Sequence, residues 1–200
     1  MKKIAILISG RGTNMSVLAD RVLAGDLRAE IAFVASDHPD AQGVSTARAK
    51  GLLVELLPYR EKGHSYAEEH LAALISSHGV DLLILAGFMR ILSPDFVSAH
   101  AGRIVNIHPS LLPSFPGTRG ILDAWNYGVR ITGVTVHLVD EKVDHGPILS
   151  QEAVYINNSD SLETLEEKIH KVEHALYWRT IKAFIQEKIT PINRRRTSVE

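Results

Sequence analysis

The first half of the chain alternates short apolar runs with longer amphipathic stretches, and few folds accept that order. "KIAILIS" (3–9), "EIAFVAS" (30–36), "LLVELL" (52–57), "DLLILAG" (81–87) and "RIVNI" (103–107) read as strands. They are close to continuously apolar, as strands covered on both faces must be. Between them lie "MSVLADRVLAG" (15–25), "AQGVSTARAKG" (41–51), "SYAEEHLAALISSHG" (65–79) and "PDFVSAHAG" (94–102), which read as helices. In the first of these Val17, Leu18, Val22 and Leu23 recur on one face, and Gly25 sits where a helix would stop. Strand then helix, repeated, predicts an α/β fold: a doubly wound, mostly parallel sheet with helices on both faces.

The second half is less regular. "ITGVTVHLVD" (131–140) alternates like a strand with one more polar face, and "GPILSQEAVYI" (146–156) reads as another strand. A long amphipathic helix spans 161–188, with Ser159, Asp160 or Ser161 able to cap its start. No element is assigned between 110 and 130. Repeats, low-complexity tracts and linkers are absent, so one domain is expected over residues 1–188. The tail 189–200 lacks periodicity and is expected to be loose.

Hydrophobic residues make up 45% of the chain and charged ones 22%, with a net charge of -1, which describes a globular protein without a general footprint for nucleic acid. Arg194, Arg195 and Arg196 form a basic run that reads as solvated. With no cysteine, disulfide and thiolate chemistry drop out. The run Ile4–Ile8 is too short for a signal-peptide core, and nothing approaches the ~20 apolar residues of a membrane span. A cytoplasmic protein is expected.

"ISGRGTNM" (8–15) lies where the first strand turns into the first helix. Gly10 and Gly12 permit a sharp turn and a close backbone approach. The helix start behind them offers free N–H groups and a positive dipole end, which suit a phosphate. A dinucleotide fingerprint needs a third glycine where Met15 stands, although Asp37, after the second strand, could imitate its ribose-binding acid. The P-loop lysine is missing too. A tight turn without a ligand is the alternative.

"IVNIHPSLLP" (104–113) puts Asn106 and His108 at the carboxyl end of a strand, where parallel-sheet enzymes place their ligands. Two residues apart, they project to one side, and Pro109 keeps His108 extended. An amide that can donate to an oxyanion beside an imidazole that titrates near neutrality makes a plausible acyl-transfer pair. The plain alternative is a histidine satisfying a carbonyl and an asparagine capping a turn. A partner carboxylate could come from Asp140, Glu141 or Asp144, all in one loop. A metal site built on His108, His137, Asp144 and His145 has suitable ligand types but lacks a compact spacing.

These residues form a familiar combination. "ISGRGTN", "LAGFMRILS" (85–93), "NIHPSLLPSFPG" (106–117), "TGVTVHLVDEKVDHGPIL" (132–149) and "VEHALY" (172–177) closely resemble the phosphoribosylglycinamide formyltransferases of purine synthesis. The resemblance runs from about Ile4 to about Phe184. It implies the Rossmann-like formyltransferase fold, with 10-formyltetrahydrofolate as co-substrate and neither metal nor redox cofactor. It implies catalytic roles for Asn106, His108 and Asp144. The phosphate loop for glycinamide ribonucleotide would be Gly12, Thr13 and Asn14, with Glu173 as a further contact to that substrate. The folate segment would be Met89, Arg90, Ile91 and Leu92 with Asn106, and the pterin walls Leu85, Ile104 and Val139. Periodicity alone would make Met89–Leu92 the edge of a core and Glu173 a solvated helix charge.

Departures from the family pattern are Arg11, where relatives often carry another polar residue, and the basic folate contact of some relatives, for which Lys62 or His64 are the candidates. His170, three residues before Glu173 on the same helix face, is expected near the phosphate. The resemblance implies small-molecule substrates, no nucleic acid or membrane partner, and a monomer or homodimer. Methionyl-tRNA formyltransferase and formyltetrahydrofolate deformylase resemble the same core but carry an extra domain, which the length of this chain disfavours. A module that merely holds a dinucleotide is the remaining rival.

Overall fold

The structure, a computed structural model, describes residues 1–191. Seven strands and six helices follow in the order β1 (Lys2–Ile8), α1 (Thr13–Leu23), β2 (Ala29–Ser36), α2 (Gln42–Ala49), β3 (Val54–Leu56), α3 (Tyr59–His78), β4 (Leu82–Leu85), α4 (Pro94–Ala99), β5 (Ile104–His108), α5 (Gly120–Tyr127), β6 (Ile131–Leu138), β7 (Ile148–Tyr155) and α6 (Leu162–Ile185). They build one sheet in the order β3-β2-β1-β4-β5-β6-β7. The first five strands run parallel, whereas β6 and β7 return antiparallel.

β1 is central, and Ile4–Ile8 are fully buried. Its pleat serves two cores at once. Ile4, Ile6 and Ile8 face a layer containing Met15 and Leu18 of α1, Ala47 of α2, and Leu165, Ile169 and Ile181 of α6. Ala5 and Leu7 face a second layer with Leu71 and Ile75 of α3 and Phe96 of α4. This is the physical meaning of an apolar run without alternation.

Local details differ from expectation. The buried face of α1 carries Met15, Leu18 and Ala19, while Leu23 is 69% exposed. Leu23 is the last residue of the helix and, at 3.6 residues per turn, lies off the face of Met15, Leu18 and Ala19. α3 begins at Tyr59, ahead of the expected start, and breaks at Gly63, whose φ of 82° is non-helical. α5 fills part of the stretch left unassigned: it is two turns long, and Ile121 and Trp125 pack against the first core. Ser161 is the cap of α6, accepting from the Thr164 amide while its own N–H donates to Thr164 Oγ1 at 2.8 Å. Of the tail, Ile189 packs against the first core; residues 192–200, including Arg194–Arg196, lie outside the described residues.

The chain runs outward from β1 to β2 and β3, then crosses back to β4 on the other side of β1. The carboxyl ends of β1 and β4 therefore flank the reversal of strand order, where ligands bind in such sheets. Tyr177 of α6 secures this edge: its buried hydroxyl shares its one hydrogen between the carbonyls of Leu85 (2.8 Å) and Val105 (3.1 Å). Tyr177→Phe is expected to cost about 1–3 kcal/mol by removing that donor. Thermal unfolding reads this as a midpoint lower by about 2–4 °C per kcal/mol, and an unchanged midpoint would refute the bond's role. Among the described residues no helix is long and apolar enough to cross a membrane.

Candidate functional site

Three strand ends converge on two adjoining cavities. The first, of about 440 Å³, is lined by Met89–Leu92 after β4, by Asn106–Pro109 of β5, and by Val139–Asp144 after β6. The second, of about 780 Å³, lies between the Gly10–Asn14 turn and the α6 face that carries His170, Glu173 and His174. Gly87, Met89, Ile107 and Pro109 line both. Within the "NIHP" stretch Ile107 and Pro109 thus belong to the shared wall, while Asn106 and His108 line the first cavity.

At that wall, pairing of β5 with β6 places Asn106 opposite His137 and His108 opposite Thr135. His137 is almost wholly buried, and burial pushes its pKa down, with the neighbouring Asp144 charge opposing. The ring is neutral at neutral pH. Its Nδ1–H donates to the Leu138 carbonyl at 2.9 Å, which leaves Nε2 as an acceptor for Asn106 Nδ2 at 3.2 Å. One amide hydrogen of Asn106 is so committed, and the orientation of the amide is set.

His108 is held from both sides. Its Nε2–H donates to the Phe115 carbonyl at 2.8 Å, and Nδ1 lies 3.4 Å from Asp144 Oδ2. Both ring nitrogens face oxygen atoms. Asp144 Oδ2 also accepts from the Gly117 amide at 2.7 Å. Of the three candidate carboxylates, Asp144 is the one beside His108; Asp140 pairs with His145 at 2.7 Å, and Glu141 is exposed. Gly146 seats this loop, since a Cβ there would sit 1.9 Å from the Leu138 carbonyl oxygen. Behind His108, Thr135 Oγ1 donates to the Ser110 carbonyl at 2.7 Å and accepts from the Leu112 amide at 3.0 Å, fixing the loop after Pro109.

Among the described residues no three His, Asp or Glu side chains are grouped to hold a metal ion. The alternative quartet is divided, because His145 turns to Asp140.

The Gly10–Asn14 turn is built by a backbone contact that sequence reading missed. Gly12 has φ 69°, and a Cβ there would lie 2.8 Å from Gly43 Cα at the start of α2. Gly43 N–H donates to the Gly10 carbonyl at 3.0 Å. Two glycines let α2 buttress the turn, and only a contact between sequence-distant segments reveals it. The first helical bond of α1 runs from Ser16 N–H to the Gly12 carbonyl, so the preceding amides have no intrahelical partner, and Gly12, Thr13 and Asn14 line the cavity. Arg11 and Lys171 contribute positive charge to the lining. His170 donates to Glu173 Oε2 at 2.9 Å, and that bond raises its pKa. Glu173 is only 6% exposed, hence not a solvated helix charge. Asn14 Oδ1 and His174 Nε2 are buried without a protein partner, the mark of a surface made for a polar ligand.

The remaining expected positions divide. Met89, Arg90, Ile91, Leu92, Leu85 and Val139 line the first cavity, whereas Ile104 is sealed in the second core. Neither Lys62 nor His64 lines the first cavity. Lys62 donates to the Tyr66 hydroxyl at 3.1 Å, and His64 bonds the Ile91 carbonyl at 2.8 Å. Asp37 faces Arg90 rather than a ribose: Arg90 Nε donates to it at 2.7 Å.

The depressed pKa of His137 has a measurable consequence. The folded ring resists protonation below its ordinary 6.5, while the unfolded one accepts it, so the unfolded chain binds more protons there and stability falls as pH drops below that value. Between pH 7 and pH 5 the unfolding midpoint of the wild type is therefore expected to fall further than that of His137→Gln. Other titrating groups are common to both proteins, and equal falls would contradict the neutral assignment.

A doubly wound sheet with an amide, an imidazole and a carboxylate lining one of two adjoining cavities defines a group-transfer enzyme. The chain belongs to the formyl transferase family, whose model matches residues 2–181. It is 38% identical over 188 residues to the phosphoribosylglycinamide formyltransferase of Bacillus subtilis (strain 168), covering 92% of this chain and 95% of that protein. With the enzyme of the same name from Haemophilus influenzae it shares 40% over 192 residues, 94% of this chain and 90% of that one. The crystal structure of phosphoribosylglycinamide formyltransferase from Bacillus halodurans superposes with a TM-score of 0.89 at 41% identity, covering 94% of this chain and 97% of that one.

Proposed function

We propose that this chain transfers the formyl group of 10-formyltetrahydrofolate to the amine of 5-phosphoribosylglycinamide, giving formylglycinamide ribonucleotide and tetrahydrofolate in purine (IMP) biosynthesis. The observation that carries the reading is the pair of cavities that meet at Ile107 and Pro109, with Asn106, His108 and Asp144 lining the first of them. That one has the largely apolar lining a pterin needs. The other has a helix start and cations for a phosphate. The reading carries with it a cytoplasmic protein acting on two small molecules, as a monomer or homodimer, without nucleic acid or membrane.

In this mechanism the substrate amine attacks the formyl carbon, forming a C–N bond and a tetrahedral oxyanion. Asn106 donates its second amide hydrogen to that oxygen, the first being tied to His137. His108 adds positive charge beside the oxyanion and shares its Nδ1 proton with Asp144, since its Nε2 proton is tied to Phe115. When the bond to N10 breaks, the nitrogen leaves with a proton, and the attacking amine gives one up. Asp144 balances the charge and passes protons between the two, directly or through water. Gly12, Thr13 and Asn14 hold the phosphate, and Glu173 the ribose hydroxyls.

The test is one assay with purified protein, 10-formyltetrahydrofolate and glycinamide ribonucleotide, followed by the appearance of deformylated folate. Turnover that requires the nucleotide supports the reading. Equal turnover with water alone would assign a deformylase, and tight NAD binding without transfer would assign a dinucleotide module.

A further inference from the structure

The strip Met89–Leu92 is a loop, with Met89 and Ile91 largely exposed, yet it is fastened at every residue except Leu92. Met89 N–H donates to Ser9 Oγ at 2.8 Å. Arg90 Nε donates to Asp37 Oδ2 at 2.7 Å, and its guanidinium lies 5.4 Å from the centre of the Tyr59 ring. The Ile91 carbonyl accepts from His64 Nε2 at 2.8 Å. One residue beyond the strip, Glu68 accepts from the Ser93 amide at 2.7 Å and from the Ser93 hydroxyl. Asp37 and Glu68 are 5% and 7% exposed, and neither lines the two cavities described above.

A buried carboxylate is unfavourable unless paired and hydrogen-bonded. Here two of them reach the same short loop: Asp37, following β2, through Oδ2, and Glu68, on α3, through both oxygens. A connection between β4 and α4 needs no such anchoring in order to fold. A ligand wall does, because a strip ordered before binding loses no conformational freedom when the ligand arrives.

We propose that Asp37 and Glu68 are positioning residues that hold the two ends of Met89–Leu92, presenting it as a preformed wall for the folate. The inference rests on the function proposed above. Asp37 fixes the strip through the Arg90 side chain, and Glu68 through the backbone and hydroxyl of Ser93. His64 completes the hold at the centre, in place of a direct basic contact with the ligand.

Two measurements test it. In steady-state kinetics Asp37→Ala and Glu68→Ala are expected to raise KM for 10-formyltetrahydrofolate by about tenfold or more, with kcat and KM for the nucleotide within about twofold. Asp37→Asn and Glu68→Gln, which retain an acceptor and the volume, are expected to recover most of the loss. A general structural defect would instead move both KM values together, and that result overturns the proposal. Hydrogen exchange reads the same hold without the reaction: the Ser93 amide, bonded to Glu68, is expected to exchange faster in Glu68→Ala, and the Met89 amide, bonded to Ser9 beside Arg90, faster in Asp37→Ala, while those of β1 and β5 do not change. Unchanged exchange at both amides overturns the positioning role whatever the kinetics. A wild type that fails to transfer formyl groups, but whose variants loosen the strip, would sink the functional reading and leave the hold itself standing.

Discussion

Asn106→Ala and His108→Ala are each expected to lower kcat by on the order of 10²-fold or more, with much smaller changes in either KM. In the proposed mechanism the donor hydrogen of Asn106 and the charge of His108 act on an oxygen that becomes an anion only in the tetrahedral species, so their loss would fall on the transition state rather than on binding. The Asn106 amide is oriented by His137, and the His108 ring is held by Phe115 and Asp144. Residues that work as a unit lose function non-additively, so the double variant is expected to be little worse than the poorer single one. Because His108 is buried, His108→Gln serves as a companion that can still donate toward Phe115. Steady-state kinetics with both substrates varied, alongside thermal unfolding, measures the effect. Near wild-type kcat in both alanine variants would remove these residues from the chemistry.

The second large effect is expected at Gly12. Its φ of 69° is costly for any other residue, and a Cβ would meet the Gly43 backbone at 2.8 Å. A flexible side chain could move aside, but Gly43 Cα cannot without shifting α2. Gly12→Val thus displaces the turn and the start of α1, and with them the amides proposed to hold the phosphate. A left-handed conformation alone costs a β-branched residue roughly 1–2 kcal/mol, and misplacing the amides by about 1 Å is expected to weaken nucleotide binding about a hundredfold. Folate binding, on the far side of the wall at Ile107 and Pro109, is expected to persist and serves as the internal control. Calorimetric titration with glycinamide ribonucleotide is the measurement, and unchanged affinity would count against the phosphate loop.

Much of this could be read along the chain because burial leaves a local trace. The apolar run Ile4–Ile8 announced a strand covered on both faces, and both cores are there. Asn106 and His108 stood out as polar residues ending an apolar run, and Gly12 as a glycine between a strand and a helix. Other features leave no local trace. Leu23 fits an apolar stripe until the buried face of α1 is set by Met15, Leu18 and Ala19. α5 is two turns long behind Pro113, Pro116 and Gly117, too short for its period to show. Glu173 looks like any helix carboxylate until α6 is laid over the first turn.

From its residues alone the chain determined its strands and most of its helices, the doubly wound layout of the first five strands, and the two strand-end motifs, because each is written in contiguous periodicity or in a single conformational demand. The choice of Asp144 among three carboxylates required the family resemblance. Only the tertiary structure decided that β6 returns antiparallel to set His137 against Asn106, that Gly43 closes on Gly12, and that Asp37 and Glu68 turn to the Met89–Leu92 strip. Pairing direction, cross-strand register and close backbone approach join residues far apart in the chain, and no local pattern carries that information.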